Sequence, residues 1–414
     1  MTFTRLLTHA ALALLFALPA TSAFAQGYFG QNKVHYKDFE WAVFRTEHFD
    51  VHYYKEAEQT AQDAARMAER GYAYLSDVFE HQFKERIPLI LYASLNDFQQ
   101  TNIISQVGHG TRGVTESAKG RVVLPITGSY REFNHVLVHE LVHAFQFDIM
   151  LNPENVGENA RGFNPPLWFV EGMAEYLSVG MDNITRMWVR HGLMHENLLT
   201  VEKLNSTFDI RVYRLGESLW HFIGEKYGKK KVGHLLKTAV RIGDMEKAFK
   251  LQLGMDNKLL TEAWHAAMRE AFALNNAQLQ KPDAVATRLT QKESFFHRMN
   301  VVPAISPDGQ EIAYVTDKNL VDDIYILTEN GKNSFKSNRL IKGSQSTDFE
   351  ALRFFETTID WSHDGRKISF ISKSGKDDAL YVTDARDGTQ LHRFVFEQLN
   401  GLLSPSFSPD GKAI

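Results

Sequence analysis

His135-Val-Leu-Val-His-Glu-Leu-Val-His-Ala-Phe-Gln-Phe-Asp148 sets three histidines and a glutamate into an otherwise apolar run. Leu137, Val138, Leu141, Val142 and Phe145 recur at helical spacing, so the run predicts a largely buried helix. On such a helix residues four apart share a face. His139 and His143 can therefore aim a ring nitrogen at one point. Glu140 sits about 100° round the axis, beside that point and not aimed straight at it.

His-Glu-x-x-His on a helix is the pattern of a hydrolytic zinc site, in which the histidines hold the ion and the glutamate serves as base toward water. A third ligand candidate follows in Pro165-Pro-Leu-Trp-Phe-Val-Glu-Gly-Met-Ala-Glu-Tyr-Leu-Ser178. The prolines suit a helix start. Glu171 and Glu175 are again four apart, beside an apolar stripe of Leu167, Val170, Ala174 and Leu177. Acids on a buried face need a cation or donors. Glu171 is accordingly read as the third ligand of one Zn2+ ion. Glu175, one turn on, is read as the acceptor of a ligand histidine's free ring N–H. The competing reading is an exposed amphipathic helix with two solvated acids. His135 extends the histidine series, but a fourth protein ligand would close the position that a catalytic site keeps for water. It is therefore assigned a structural or rim role.

The order of elements around these motifs is that of an α+β domain, a mixed sheet plus a helical subdomain. Aromatic-rich alternating segments at Phe39–Phe44 and Phe49–Tyr54 predict strands. Glu56–Phe83 has helical spacing. Ile87–Tyr92 reads as a buried strand, and Arg121–Ile126 as a further one whose Pro125 argues for an edge position. From Pro165 to about Leu274 the pattern is helical.

After a polar stretch, Asn275–Thr290, the character changes. Ser306-Pro-Asp-Gly309, Ser362-His-Asp-Gly365 and Ser408-Pro-Asp-Gly411 recur at intervals of 56 and 46 residues. The first two run into alternating strands. These units resemble the TolB-type, WD40-like propeller repeat. A ring needs about four to eight blades, and the chain stops two residues after Lys412, inside a repeat, so the sequence is expected to be part of a longer protein.

The two helix motifs, His139-Glu-Leu-Val-His143 and Trp168-Phe-Val-Glu171-Gly-Met-Ala-Glu-Tyr176, together resemble the gluzincin (peptidase MA-like) metallopeptidases. Those enzymes take their third ligand from the Glu of an E-G-x-A-type helix. The resemblance spans about residues 35–275. It implies peptide-bond hydrolysis with Glu140 as catalytic base. The 27 residues between His143 and Glu171 exceed the spacing of the best-known aminopeptidase branch, so that specificity is not carried over. Tyr213 is similar in placement to the oxyanion-binding tyrosine of gluzincins, and a core tyrosine capping a helix fits it equally well. His109, His191 and His195 fall in loop or helix-end contexts; they are candidates for substrate contact, with the surface-residue reading preferred.

The N-terminus reads as an address. Arg5, an apolar run over Ala10–Leu18 and Ala23-Phe-Ala25 fit a cleaved secretion signal with cleavage near Ala25/Gln26. The expected organisation is a signal peptide over 1–25, the peptidase domain over 26–275, a linker over 276–295 and a truncated propeller segment over 296–414. A secreted or periplasmic chain with no membrane span after cleavage follows. There is no cysteine, so no disulfide or lipid-anchored N-terminus is available, and any metal site must use His and carboxylates. A net charge of -4 without basic runs gives no reason to expect nucleic acid as a partner. A polypeptide substrate and a protein partner for the propeller are expected. The rival class is a non-catalytic periplasmic binding or scaffold protein whose propeller carries the function. Glu140 argues against it, because a purely structural site has no use for a base there.

Overall fold

The computed structural model describes residues 35–414, apart from 105, 106, 109, 158–162, 277–279, 281, 291–298, 332, 333, 344–348, 355 and 356. The signal-peptide reading and His109 lie outside the described residues.

The first unit is built on a mixed five-stranded sheet. Strands β1 (Ala42–Arg45), β2 (Phe49–Tyr53), β3 (Ile87–Tyr92), β4 (Val114–Glu116) and β5 (Arg121–Pro125) are arranged β1-β2-β3-β5-β4. The pairs β2/β3 and β3/β5 are parallel, and the outer pairs are antiparallel. Helix α1 (Glu58–Phe79) makes the crossover from β2 to β3. It buries Ala61, Ala64, Ala65, Ala68, Tyr72 and Leu75, the spacing of one helical face. Small alanines let it lie close to the sheet and to the His-bearing helix. It stops at Glu80, whose backbone takes the left-handed conformation at φ 47.

β5 is an inner strand, contrary to the edge position inferred from Pro125. Pro125 is the last residue of β5 and pairs with Tyr92, whereas β4 covers only Arg121–Val123. The missing N–H therefore faces no neighbour on the β4 side, and the proline costs no ladder bond there. The edge is β4.

Beyond the short helix α2 (Leu95–Phe98), helix α3 (Tyr130–Leu151) carries the His-Glu-x-x-His motif. The Ser129 side chain caps it by accepting from the Glu132 N–H. Leu137, Leu141, Val142 and Phe145 are fully buried, so the helix is clamped along its length. Helix α4 (Leu167–Val179) carries the two glutamates. It is followed by α5 (Asn183–Met194), α6 (Val201–Leu204), α7 (Arg211–Tyr227), α8 (Lys230–Ile242), α9 (Met245–Leu253), α10 (Asn257–Asn276) and the one-turn α11 (Pro282–Val285).

The tightest helix contact is α4 on α7. A Cβ on Gly172 would meet the Gly216 carbonyl carbon at 2.4 Å, and a Cβ on Gly216 would meet the Trp168 carbonyl oxygen at 2.6 Å. Trp220 seals the crossing, its indole N–H donating to the Phe169 carbonyl at 2.9 Å.

The C-terminal part is all β. Strands β6 (Asn300–Ile305), β7 (Glu311–Thr316), β8 (Asp323–Glu329) and β9 (Phe335–Ile341) form a four-stranded antiparallel meander. β10 (Ala351–Leu352), β11 (Asp360–Trp361), β12 (Lys367–Ser374), β13 (Asp377–Asp384) and β14 (Gln390–Val395) form a second sheet. Ala313, Val315 and Ile324 of the first sheet share one core with Trp361, Phe370 and Tyr381 of the second. Among the described residues the sheets do not close into a ring. The repeated turns are built alike. The Ser306, Ser362 and Ser408 hydroxyls donate to Asp308, Asp364 and Asp410 at 2.7 Å, and Gly309, Gly365 and Gly411 have φ of 74, 66 and 67.

The glycine contact yields a test. Gly172→Ala must push α4 off α7 and is expected to cost at least about 1–3 kcal/mol of stability. Urea unfolding that is unchanged in this variant would contradict the described crossing.

Candidate metal centre

Helices α3 and α4 bring three donor atoms to one point. His143 Nε2 lies 3.1 Å from His139 Nε2 and 3.2 Å from Glu171 Oε2, and His139 Nε2 lies 3.4 Å from Glu171 Oε2. Donors held tetrahedrally at about 2.0–2.1 Å from one zinc ion are about 3.4 Å apart. The group thus has the dimensions of a metal site as well as its chemistry.

Each imidazole is oriented from behind. The Gln146 amide N–H donates to the Val170 carbonyl at 2.9 Å, which turns its oxygen toward His143 Nδ1 at 2.8 Å. Nδ1 of His143 therefore carries the proton, and the Nε2 lone pair faces the shared point. Glu175 does the same for His139, its Oε1 lying 3.4 Å from His139 Nδ1. Gln146 is fully buried and Glu175 nearly so, which fixes both arrangements. Burial works against protonation of His139, yet Glu171 and Glu175 outweigh it and hold its pKa up at about 10. Burial would raise Glu171, but His143 and His139 hold it well below the usual carboxylate range. The cluster therefore draws positive charge to its centre.

Glu140 faces the sheet edge. The Thr115 hydroxyl of β4 lies 2.7 Å from Glu140 Oε2 and 2.8 Å from the Glu140 carbonyl oxygen. The other carboxylate oxygen lies against Gly113, where a Cβ would come within 2.8 Å of it. The glycine lets the chain entering β4 pass directly over the carboxylate.

Tyr213, in the first turn of α7, stacks on His139 with ring centroids 6.5 Å apart and planes at 17°. Burial first, then the charges of Glu171, Glu175 and Glu140, push its hydroxyl pKa well above the ordinary tyrosine value. It remains an O–H donor at neutral pH. His135 lies at the rim, with Nε2 3.4 Å from Glu175 Oε2. His191 and His195 pair with each other at the C-terminal end of α5, with centroids 4.4 Å apart.

Sequence reading missed Gln146, Thr115, Arg214 and Glu217. Gln146 was legible in principle, since it lies one turn after His143 on the same face. Thr115 was not, because its contact with Glu140 depends on how β4 crosses α3. The Arg214 guanidinium lies 3.5 Å from Glu217 Oε2 on its own helix and 3.3 Å from Glu175 Oε2 on α4, and the second contact, between helices, is one that local periodicity does not report.

Removing an orienting group should loosen metal without abolishing folding. Gln146→Ala and Glu175→Ala are each expected to weaken zinc affinity by about 10–100-fold. Competition against a chromogenic chelator measures this, and affinities equal to wild type would contradict the orienting roles.

Residues 67–270 match the Peptidase MA superfamily. Among curated proteins no sequence matches the chain. Among solved structures, TolB from Acinetobacter baumannii is similar at 20% identity and a TM-score of 0.20, over 28% of this chain and 25% of that one. A protein assigned as TolB from Agrobacterium tumefaciens is similar at 25% identity and a TM-score of 0.21, over 30% of this chain and 43% of that one. The match thus spans less than half the length of either protein. The matched segment includes the two histidines, the two glutamates and Tyr213.

Proposed function

We propose that this chain is a secreted or periplasmic zinc-dependent peptidase. The observation that carries the reading is the convergence of His139 Nε2, His143 Nε2 and Glu171 Oε2, with both imidazoles turned lone pair inward by Gln146 and Glu175. Histidine and carboxylate donors suit zinc, and these three protein ligands leave one tetrahedral position for water or substrate.

A zinc ion bound there supplies Lewis acidity toward a carbonyl oxygen and lowers the pKa of water. The remaining work falls to side chains. Glu140 takes the proton from the attacking water and passes it to the leaving amine, while the Thr115 hydroxyl holds one of its oxygens. Tyr213 donates its O–H to the oxygen on which negative charge develops. The outer edge of β4 offers backbone groups to an extended polypeptide, so β4 is the strand on which substrate would lie. Backbone pairing of that kind binds with little regard to side-chain identity. The β-rich segment would then serve as a docking module for a protein partner or substrate.

Glu140→Gln keeps shape and volume but removes the base. With zinc content equal to wild type, hydrolysis of a fluorescently labelled casein is expected to fall by about 10²–10⁴-fold. Undiminished hydrolysis would exclude Glu140 as the base.

A further inference from the structure

A second His-His-Glu set lies behind the first. It consists of His135, His139 through its other ring nitrogen, and Glu175. Its carboxylate already has a cation. Arg214 Nη1 lies 3.3 Å from Glu175 Oε2, the same oxygen that His135 Nε2 approaches at 3.4 Å. The guanidinium is itself held from the far side. Its Nη1 lies 3.5 Å from Glu217 Oε2 and 3.9 Å from Asp182 Oδ2.

We infer that Arg214 is a positioning residue for the metal centre, acting through Glu175. This rests on the metal reading of the site. The carboxylate of Glu175 is almost buried and sits one helical turn from Glu171, so it needs partners for both of its oxygens. A neutral imidazole N–H is a weak counterpart. Arginine keeps its charge under all ordinary conditions and binds a carboxylate with fixed geometry. With Oε2 held by Arg214, Oε1 remains directed at His139 Nδ1, and that contact sets the tautomer which frees Nε2.

Glu217 explains why the arginine stays in place. Its carboxyl is fully buried, accepts the Thr185 hydroxyl at 2.6 Å and the Asp182 N–H at 3.1 Å, and so ties α7 to the start of α5. Arg214 and Glu217 are three apart and adjacent on α7. The tight glycine crossing of α4 on α7 brings Arg214 to Glu175. The chain of contact thus runs from the donor point through His139, Glu175 and Arg214 to Glu217.

The test compares zinc affinities of the full chain by chelator competition in wild type, Arg214→Met, Arg214→Lys, Glu175→Gln and the Arg214→Met/Glu175→Gln double variant. Far-UV circular dichroism and thermal melting of the metal-free forms check folding. The expected result is a loss of about 10–100-fold for Arg214→Met and a smaller loss for Arg214→Lys. The double variant should be no weaker than Glu175→Gln alone, because the arginine acts only through that carboxylate. Affinity unchanged in Arg214→Met, or losses that add fully in the double variant, would overturn the assignment while leaving the metal reading intact. If Arg214→Met does not fold, Arg214→Lys binding more weakly than Glu175→Gln would overturn it. A wild-type chain that binds no zinc overturns the metal reading and the assignment together.

Discussion

Three electron-rich atoms held within 3.4 Å of one another must share something positive, and this requirement organises the rest of the molecule. Their lone pairs repel unless a proton or a metal ion lies between them. Without metal, burial works against a proton on His139, yet the Glu171 and Glu175 carboxylates beside it favour one. A dication removes the need for that proton and satisfies all three donors at once. The cluster is costly to build without such a partner, and the fold spends much of its rigidity on keeping it assembled.

That rigidity has identifiable sources. α3 is buried on nearly every side, so its histidines cannot swing away. α4 is pinned by the Gly172–Gly216 contact, where backbones touch and no sliding is available. The sheet supplies the remaining wall, since β4 reaches over α3 and places Thr115 on Glu140. Two of the donors and Glu140 thus come from α3 itself, while the third donor comes from α4 and Tyr213 from α7. The propeller-like sheets have their own core and contribute no residue to this cluster among the described residues.

Much of this was legible in the sequence because it depends on helical period. Four-residue spacing is enough to place His139 beside His143 and Glu171 beside Glu175. The one-turn offset then allows one acid to reach the donor point and the other to reach a ring N–H, as the distances have it. The alternating strands and Asp-Gly turns of the C-terminal part were legible for the same reason, since period two and a left-handed glycine are local properties. What escaped was tertiary. Pro125 suggested an edge, yet the true edge is set by how far β4 extends along β5. Arg214 and Glu217 look like ordinary helix charges until the α4–α7 crossing brings Arg214 to Glu175. Whether Tyr213 was a core residue or a site residue also turned on that crossing.

The central claim is that these atoms hold one zinc ion through two imidazoles and a carboxylate. Metal analysis combined with zinc K-edge X-ray absorption on the purified chain tests it most directly. The account predicts one tightly held zinc per chain, with two imidazole nitrogens and oxygen ligands at about 2.0–2.1 Å. A chain that takes up no zinc, or zinc in a shell with fewer than two imidazoles, would contradict it.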